Sequence, residues 1–209
     1  MNDPTITENE MVPQEQSIKK LHVAREVLDL AQLDSLSEKL SRSTIVPAKY
    51  QNRPENCFIA LDLASRMGVS PMFVMQNLYV IRGNPSWSGQ AVSALLRTSS
   101  KFKNVKLHYV GKERTESWGA YVTAIDETGE EVKGATVTIG VAKKEGWLQK
   151  TGSKWQTMPE LMLAYRAYSW FGKMYAPEIM MGLHVVEEVE DVVTYEEVEV
   201  LDPYETIGE

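Results

Sequence analysis

The sequence is poor in the residues that build disulfides and metal sites. It contains a single cysteine, Cys57, and three histidines scattered along the chain, His22, His108 and His184. One thiol excludes an internal disulfide and a cysteine metal site, and no histidine lies at the spacing of metal ligands. Because Cys57 lies in an apolar helical stretch, we expect a buried and unreactive thiol. The composition therefore predicts neither a metal nor another cofactor.

Motifs that mark several enzyme classes are also missing. The chain has no phosphate-binding loop of the Gly-x4-Gly-Lys-Ser/Thr type, because residues 150–154 contain similar residues in another order. ATP-driven motor or strand-exchange activity is therefore not expected. The nucleophile motif Gly-x-Ser-x-Gly is absent, and acidic pairs such as Glu130-Glu131 fall in predicted turns, where solvated charge is the usual role. We predict a protein that is not an enzyme.

Long apolar runs are absent as well. No stretch approaches the ~18 apolar residues of a membrane span, and the N-terminal sequence has neither the basic start nor the apolar core of a signal peptide. An apolar content of 43% is nevertheless sufficient for one packed domain. These features predict a cytoplasmic protein that does not enter a membrane.

Lysine and arginine are missing from both ends of the chain. Residues 1–16 contain four acidic residues, and residues 184–209 contain ten. The remaining part has 22 basic and 15 acidic residues, so its net charge is +7 although the whole chain carries −7. A basic core with an acidic tail points to an interaction tail or a solubilising one. We divide the chain into a disordered tail (1–16), a core (17–183) and an acidic tail (184–209).

Hydrophobic spacing predicts an α+β fold in which helices back a small antiparallel sheet of three to five strands. The predicted helices before the sheet span 17–40, 54–68, 71–76 and 88–97. The first of them would pack either on its own core or on a second subunit. The predicted strands are 77–81, 105–110, 118–125 and 131–139, with turns at 83–85 and 127–130. From His184 onward, alternating Val and Glu fit either an edge strand or a disordered segment.

The most informative stretch is residues 152–173. A polar loop joins a short predicted helix at 141–145 to a long helix that Thr157 could cap, with Pro159 in its first turn. Pro177 ends this long helix. At 100° per residue, apolar side chains occupy two opposite sides, which predicts a helix that is largely buried near the C-terminus of the core.

One narrow polar stripe separates the two apolar sides of this long helix. It consists of Met162, Arg166, Ser169 and Lys173, in which the two cations lie two turns apart. Such stripes are usually solvated surface. Here, however, Lys143, Lys144, Lys150 and Lys154 precede the helix and alternate with Trp147 and Trp155. Cations for phosphates beside aromatic rings for bases are typical of a groove for single-stranded nucleic acid. We predict that the stripe stays open and binds phosphates.

This pattern defines the candidate site. The candidate phosphate ligands are Arg166, Lys173, Lys154, Lys150 and Arg82. Trp155 and Trp147 are candidates for base stacking; a core role is the alternative for both, and it is the favoured one for Trp147. A second basic cluster is a solvated surface or faces the DNA of a neighbouring subunit. It comprises Arg97, Lys101, Lys103 and Lys106.

The order of these motifs resembles the RecT family of phage single-strand annealing proteins. The resemblance spans residues 45–183 and is carried by Ile45-Val46-Pro47, helix 54–68 with Val69-Ser70-Pro71, Tyr79–Pro85 and the segment 152–167. The more distant Red beta proteins share the Trp…Pro…Met-Leu…basic-Ala skeleton. The basic positions of the family fall on Arg166 and Lys173. Its frequent basic pair after the signature proline is replaced by Glu160-Leu161, which argues against a phosphate contact at the helix start.

The resemblance implies ATP-independent annealing of complementary strands in a bacterial host cell. It also implies binding of single-stranded DNA and of an annealing duplex intermediate, assembly into rings or helical filaments, and a phage exonuclease or host single-strand-binding protein as partner. Because only an acidic tail follows the core, partner binding is less well supported than DNA binding. Two alternatives remain open, a protective single-strand coat that does not anneal and a protein-interaction module.

Overall fold

The computed structural model describes residues 29–192. The disordered tail predicted for residues 1–16, the first part of the helix predicted to start at Ser17, and the acidic residues beyond 192 lie outside this range. The helices of the described part are α1 Leu30–Ser41, α2 Pro54–Met67, α3 Pro71–Asn77, α4 Gly89–Thr98, α5 Ile139–Lys144, α6 Lys154–Thr157, α7 Pro159–Tyr175, α8 Pro177–Met180 and α9 Val186–Val192. The strands are β1 Leu78–Ile81, β2 Asn84–Trp87, β3 Lys103–Val110, β4 Gly119–Ile125, β5 Glu131–Lys133, β6 Val137–Thr138 and β7 His184–Val185.

The strands form two small sheets, and the predicted α+β class is confirmed. The larger sheet has the order β3-β4-β5, with β6 also paired to β4, and all its pairings are antiparallel. In the smaller sheet, β1 and β2 form an antiparallel hairpin, and β7 adds to β2 in parallel. The hairpin turns at Arg82-Gly83, whereas Asn84 and Pro85, which we predicted to lie in the turn, already belong to β2.

Local signals explain several of the element boundaries. Ser88 caps α4 by accepting a hydrogen bond from the amide of Ala91 at 3.1 Å, as predicted. Gly68 ends α2 in the left-handed conformation (φ 64°), which glycine adopts without a steric cost. The expected cap of α7 is wrong, because Thr157 ends α6 and the residue before α7 is Met158, whose side chain makes no cap bond.

Helix α7 is the centre of the core. On one side, its Leu163, Ala167 and Phe171 are fully buried, and α7 contacts β4, whose Ala120 and Val122 are also fully buried. The same helix packs on α4. The predicted long, buried helix near the C-terminus of the core is thereby confirmed.

Helix α1 packs on α2. Its Leu33 is buried, whereas Leu30, one turn earlier, is 74% exposed. The sequence predicted that this helix packs either on its own core or on a second subunit, and the structure shows the first of these contacts. No single helix within residues 29–192 combines the length and the apolar content needed to cross a bilayer.

Candidate nucleic-acid interface

The polar stripe of α7 is covered in the structure. We expected it to be open, but the exposed fractions of Met162, Arg166 and Ser169 are 3%, 6% and 0%. Only Lys173 remains partly accessible, with 43% of its side chain exposed. The cover is α9, the first helix of the acidic tail, which contacts α7. The prediction of an open stripe is therefore wrong for this conformation, because carboxylates of the same chain lie against it.

Arg166 is enclosed between two acids and an aromatic ring. Its Nη2 donates to Oδ2 of Asp191, and its Nη1 lies 3.7 Å from Oε1 of Glu188. The guanidinium carbon lies 4.0 Å from the ring centroid of Trp147, an arrangement that favours a cation. The Nε of Arg166 is buried and finds no hydrogen-bond partner among the described residues. The guanidinium is thus paired but not fully satisfied.

Asp191 connects Arg166 to the second tryptophan. Both of its carboxylate oxygens lie 3.0 Å from the indole Nε1 of Trp155, which donates to them. Burial raises the pKa of Asp191, and the hydrogen bond from Trp155 and the charge of Arg166 oppose this rise without cancelling it. Trp155 is 1% exposed and its ring centroid lies 5.3 Å from that of Trp147. Both tryptophans are therefore core aromatics in this conformation, not open stacking platforms.

Glu188 neutralises the other end of the stripe. Its Oε1 accepts a hydrogen bond of 2.7 Å from the hydroxyl of Ser169, and its Oε2 pairs with Nζ of Lys173. Only 11% of the Glu188 side chain is exposed. The two cations that the sequence places two turns apart on α7 are therefore held by two carboxylates, Glu188 and Asp191, one turn apart on α9.

The segment before α7 contributes two lysines to the same contact, Lys150 and Lys154, the first residue of α6. Nζ of Lys154 lies 3.0 Å from Oε2 of Glu190, in a pair whose side chains are each 46% exposed. The hydrogen bond to Glu190 is the main reason that the pKa of Lys154 is raised. Nζ of Lys150 donates to the backbone carbonyl of Glu190 at 3.0 Å. Both lysines thus lie beside the stripe, as the predicted site requires.

A backbone donor completes the set. The amide of Gly89, at the start of α4, donates to Oε2 of Glu187 at 3.0 Å. Burial raises the pKa of Glu187. A side chain at position 89 would collide with α7, because an added Cβ would lie 2.5 Å from Cγ of Tyr165. Glycine therefore allows α4 and α7 to approach closely at the point where this amide meets α9.

We call this set of donors the donor face. We call the acidic side chains of α9 that lie against it the α9 carboxylates. The donor face consists of the Gly89 amide, Lys150, Lys154, Trp155, Arg166, Ser169 and Lys173. The α9 carboxylates are Glu187, Glu188, Glu190 and Asp191. Four of the five predicted phosphate ligands belong to the donor face.

The other predicted basic residues lie in different places. Arg82 lies in the turn between β1 and β2, with a left-handed backbone (φ 51°). In the second basic cluster, Arg97 donates to the hydroxyl of Tyr168 and Lys101 pairs with Glu178 at 2.5 Å. Lys103 and Lys106 are exposed on β3. The structure therefore separates the second cluster into local contacts and a surface strand.

Sequence reasoning missed the α9 carboxylates as partners of the cations. We expected an edge strand or disorder from His184, and the structure has two strand residues followed by a helix. Both elements after the boundary drawn at 184 contact the core, because β7 pairs with β2 and α9 contacts α7. The spacing of the acids, at 187, 188, 190 and 191, places them within one helical turn and was the available signal.

Neither metal chemistry nor known relatives add to this description. Within residues 29–192, no three His, Cys, Asp or Glu side chains are grouped so that they could hold a metal ion. No family model, curated protein or solved structure matches the chain. The resemblance to the RecT family therefore rests on the order of its motifs and remains a prediction.

Proposed function

We propose that this protein binds single-stranded DNA and anneals complementary strands without ATP, as an oligomer that acts in phage-type homologous recombination in the bacterial cytoplasm. In this proposal it is not an enzyme and uses no cofactor. Its ligands are single-stranded DNA and the annealing duplex intermediate. A phage exonuclease or a host single-strand-binding protein would be a further partner.

The observation that carries the proposal is the donor face. Six donors from α4, α7 and the segment before α7 converge on a row of four carboxylates, and Lys150 donates to the backbone carbonyl of Glu190 in the same row. Phosphate oxygens accept the same charge-assisted hydrogen bonds from Arg, Lys, hydroxyl and backbone N–H groups as carboxylates do. The face therefore has the chemistry of a site for a row of oxyanions.

The charge density of α9 compares well with that of a nucleic acid. Residues 187–191 rise by about 6 Å along the helix axis at 1.5 Å per residue. The α9 carboxylates thus place about one charge in every 1.5 Å, whereas a single strand carries one per ~3.4 Å. A face that binds the denser row has the capacity for the phosphates of one strand.

Binding through the backbone is compatible with annealing. Contacts to phosphates position a strand without reading its sequence, and the base edges remain free to pair with a complementary strand. Because both tryptophans are core residues here, we assign the affinity to the cations rather than to stacking. A few cations per subunit bind weakly at physiological salt. Several subunits along one strand multiply these contacts, which is why the proposal includes an oligomer.

Binding is tested with a triple variant of the half-exposed lysines, Lys150→Gln, Lys154→Gln and Lys173→Gln. Arg166 is left in place because its loss would leave the buried carboxylate of Asp191 without its cationic partner. The matched control removes the same charge from exposed positions outside this segment, Lys39→Gln, Lys112→Gln and Lys133→Gln. With a fluorescein-labelled oligothymidylate, we expect anisotropy titrations of the site variant to show about tenfold weaker binding at low salt. Its salt slope should be smaller by about 2, because each phosphate that a lysine no longer neutralises reduces the slope by ~0.7.

Equal affinities of the two triple variants would contradict the assignment of the site. Annealing itself is measured by mixing two complementary labelled strands with and without the wild-type protein, in the absence of ATP. Faster duplex formation supports the proposal. Binding without acceleration would identify a protective coat, and no binding at low salt would leave a protein-interaction module.

A further inference from the structure

Every residue of the donor face makes a hydrogen bond to helix α9. Each α9 carboxylate has its own partner on the core: Glu187 the amide of Gly89, Glu188 Ser169 and Lys173, Glu190 Lys154, and Asp191 Arg166 with Trp155. With Lys150, which donates to the backbone carbonyl of Glu190, each residue that we assign to a strand's phosphates already has a partner on α9. A polyanion and α9 need the same atoms, so they cannot occupy the face together.

We propose that α9 is an exchangeable occupant of the donor face, which a DNA strand must displace, so that this part of the acidic tail regulates strand binding. The inference rests on the proposed function. It assigns to the acidic segment a role beyond solubility, as a built-in competitor that presents carboxylates where a strand would present phosphates.

The contact between α9 and the core is of a kind that can exchange. Among the α9 side chains that the structure describes, Glu188 and Asp191 are buried, whereas the apolar Val186 and Val189 are only half-buried. Little apolar surface therefore holds the helix in place. The Lys154–Glu190 and Lys173–Glu188 pairs retain partial exposure, and such pairs are weakened by salt.

The buried acids also oppose tight docking. Burial raises the pKa of Asp191 in spite of its hydrogen bonds from Trp155 and Arg166, and burial raises the pKa of Glu187 as well. For both carboxylates, removal from water destabilises the charged form more than the partners stabilise it. The unsatisfied Nε of Arg166 adds a further cost to the docked state. Helix α9 makes many contacts with the core, but burial of the charged Glu187 and Asp191 opposes its docking at neutral pH.

The attachment of α9 suits a local competitor. Helix α9 begins directly after β7, whose residues His184 and Val185 pair with Ser86 and Trp87 of β2. Its N-terminal end is thereby fixed close to the face. A tethered competitor acts at a high effective concentration, so even weak contacts suppress binding of a free ligand. A longer strand that contacts several subunits overcomes this suppression, because its own contacts are also linked.

The first test compares two double variants that lose the same charge. Glu188→Gln with Glu190→Gln removes the two acids that pair with lysines, and Glu127→Gln with Glu131→Gln removes two exposed acids of the β4–β5 hairpin. If α9 leaves the donor face open in about one molecule in ten, only that fraction can bind DNA. Opening the face in all molecules then raises the apparent affinity about tenfold. We therefore expect the α9 variant to bind labelled oligothymidylate about tenfold more tightly than its control in anisotropy titrations at low salt.

The second test uses the wild-type chain and so does not depend on the folding of a variant. Hydrogen exchange is followed by mass spectrometry with and without saturating oligothymidylate. We expect the amides of residues 187–191 to exchange faster when DNA is bound, although bound ligands usually slow exchange. Unchanged or slower exchange there, in a sample that binds DNA, would overturn the inference, as would equal affinities of the two double variants. If no variant binds DNA at all, the proposed function itself fails, and the two failures are thereby distinguished.

Discussion

Helix α7 has two buried sides that are buried for different reasons. One side packs Leu163, Ala167 and Phe171 into the apolar core, where Phe171 meets Phe102 edge-on with ring centroids 5.2 Å apart. The polar stripe presents Arg166 and Ser169 to the α9 carboxylates. Their residues are equally inaccessible, between 0% and 6% exposed. Accessibility alone therefore does not distinguish a permanent contact from a contact that can open.

The physics of the two sides does distinguish them. Burying a large apolar side chain stabilises the folded state by about 1.5–3 kcal/mol, and no competing solute in water replaces that contact. A buried ion pair gains little net free energy, because the removal of both charges from water nearly cancels their attraction. Other anions offer the same partners. We therefore expect the apolar side of α7 to fix the fold and the charged side to respond to ligands, salt and pH.

The largest effect is expected from the apolar side. Phe171→Ala should lower the free energy of unfolding by about 3–5 kcal/mol, because it removes a fully buried ring and leaves a cavity. The control is Met174→Ala on the same helix. Because Met174 is 54% exposed, its replacement should change the free energy of unfolding by no more than about 0.5 kcal/mol. Urea titrations followed by circular dichroism measure both. Similar losses in the two variants would contradict the contrast.

An intermediate and local effect is expected on the charged side. Trp155→Phe keeps a ring next to Trp147 but removes the indole N–H that donates a hydrogen bond to Asp191. We expect the docking of α9 to weaken by about 1.5–3 kcal/mol, the range for a hydrogen bond to a charged group. Hydrogen exchange should accelerate in residues 187–191 more than in β4. The control is Trp118→Phe, the same change at another buried indole, and equal acceleration of β4 and α9 would show that the charged side is no more mobile.

The smallest effect concerns pH. Because burial raises the pKa of Glu187, the folded state binds its proton more tightly than the unfolded state does. Its contribution to stability is therefore present below the ordinary pKa of about 4.3 and is lost as the pH rises through the raised value. Glu187→Gln removes this dependence, and glutamine can still accept from the Gly89 amide. We expect the variant to gain stability relative to the wild type as the pH rises from acidic to neutral.

Thermal unfolding of both proteins across the acidic to neutral range measures this difference, with Glu127→Gln as the exposed control. Asp191 is present in every sample, so its own titration cancels in the comparison. A constant difference between the wild type and Glu187→Gln at all pH values would contradict the role given to burial.

Much of the fold was predictable because it depends on local signals. Ser88 caps α4, Gly68 ends α2, and the strands predicted at 105–110 and 118–125 correspond to β3 and β4. The cations of the donor face were also found, since Arg166 and Lys173 share one side of a helix by spacing alone. The partners of these cations were not found. Pairing between residues 15–40 positions apart depends on how α9 returns to α7, which no local pattern specifies.

The sequence by itself determined the α+β class, the long helix α7 and the alignment of its cations, because helical and strand periods are set by backbone geometry. The tertiary structure alone decided that these cations meet the chain's own acids. Charge pairs do not depend on sequence distance, and a solvent-facing stripe and a covered one have the same residue pattern. Whether the stripe of α7 faces water, a strand or α9 is settled only by which anion lies against it.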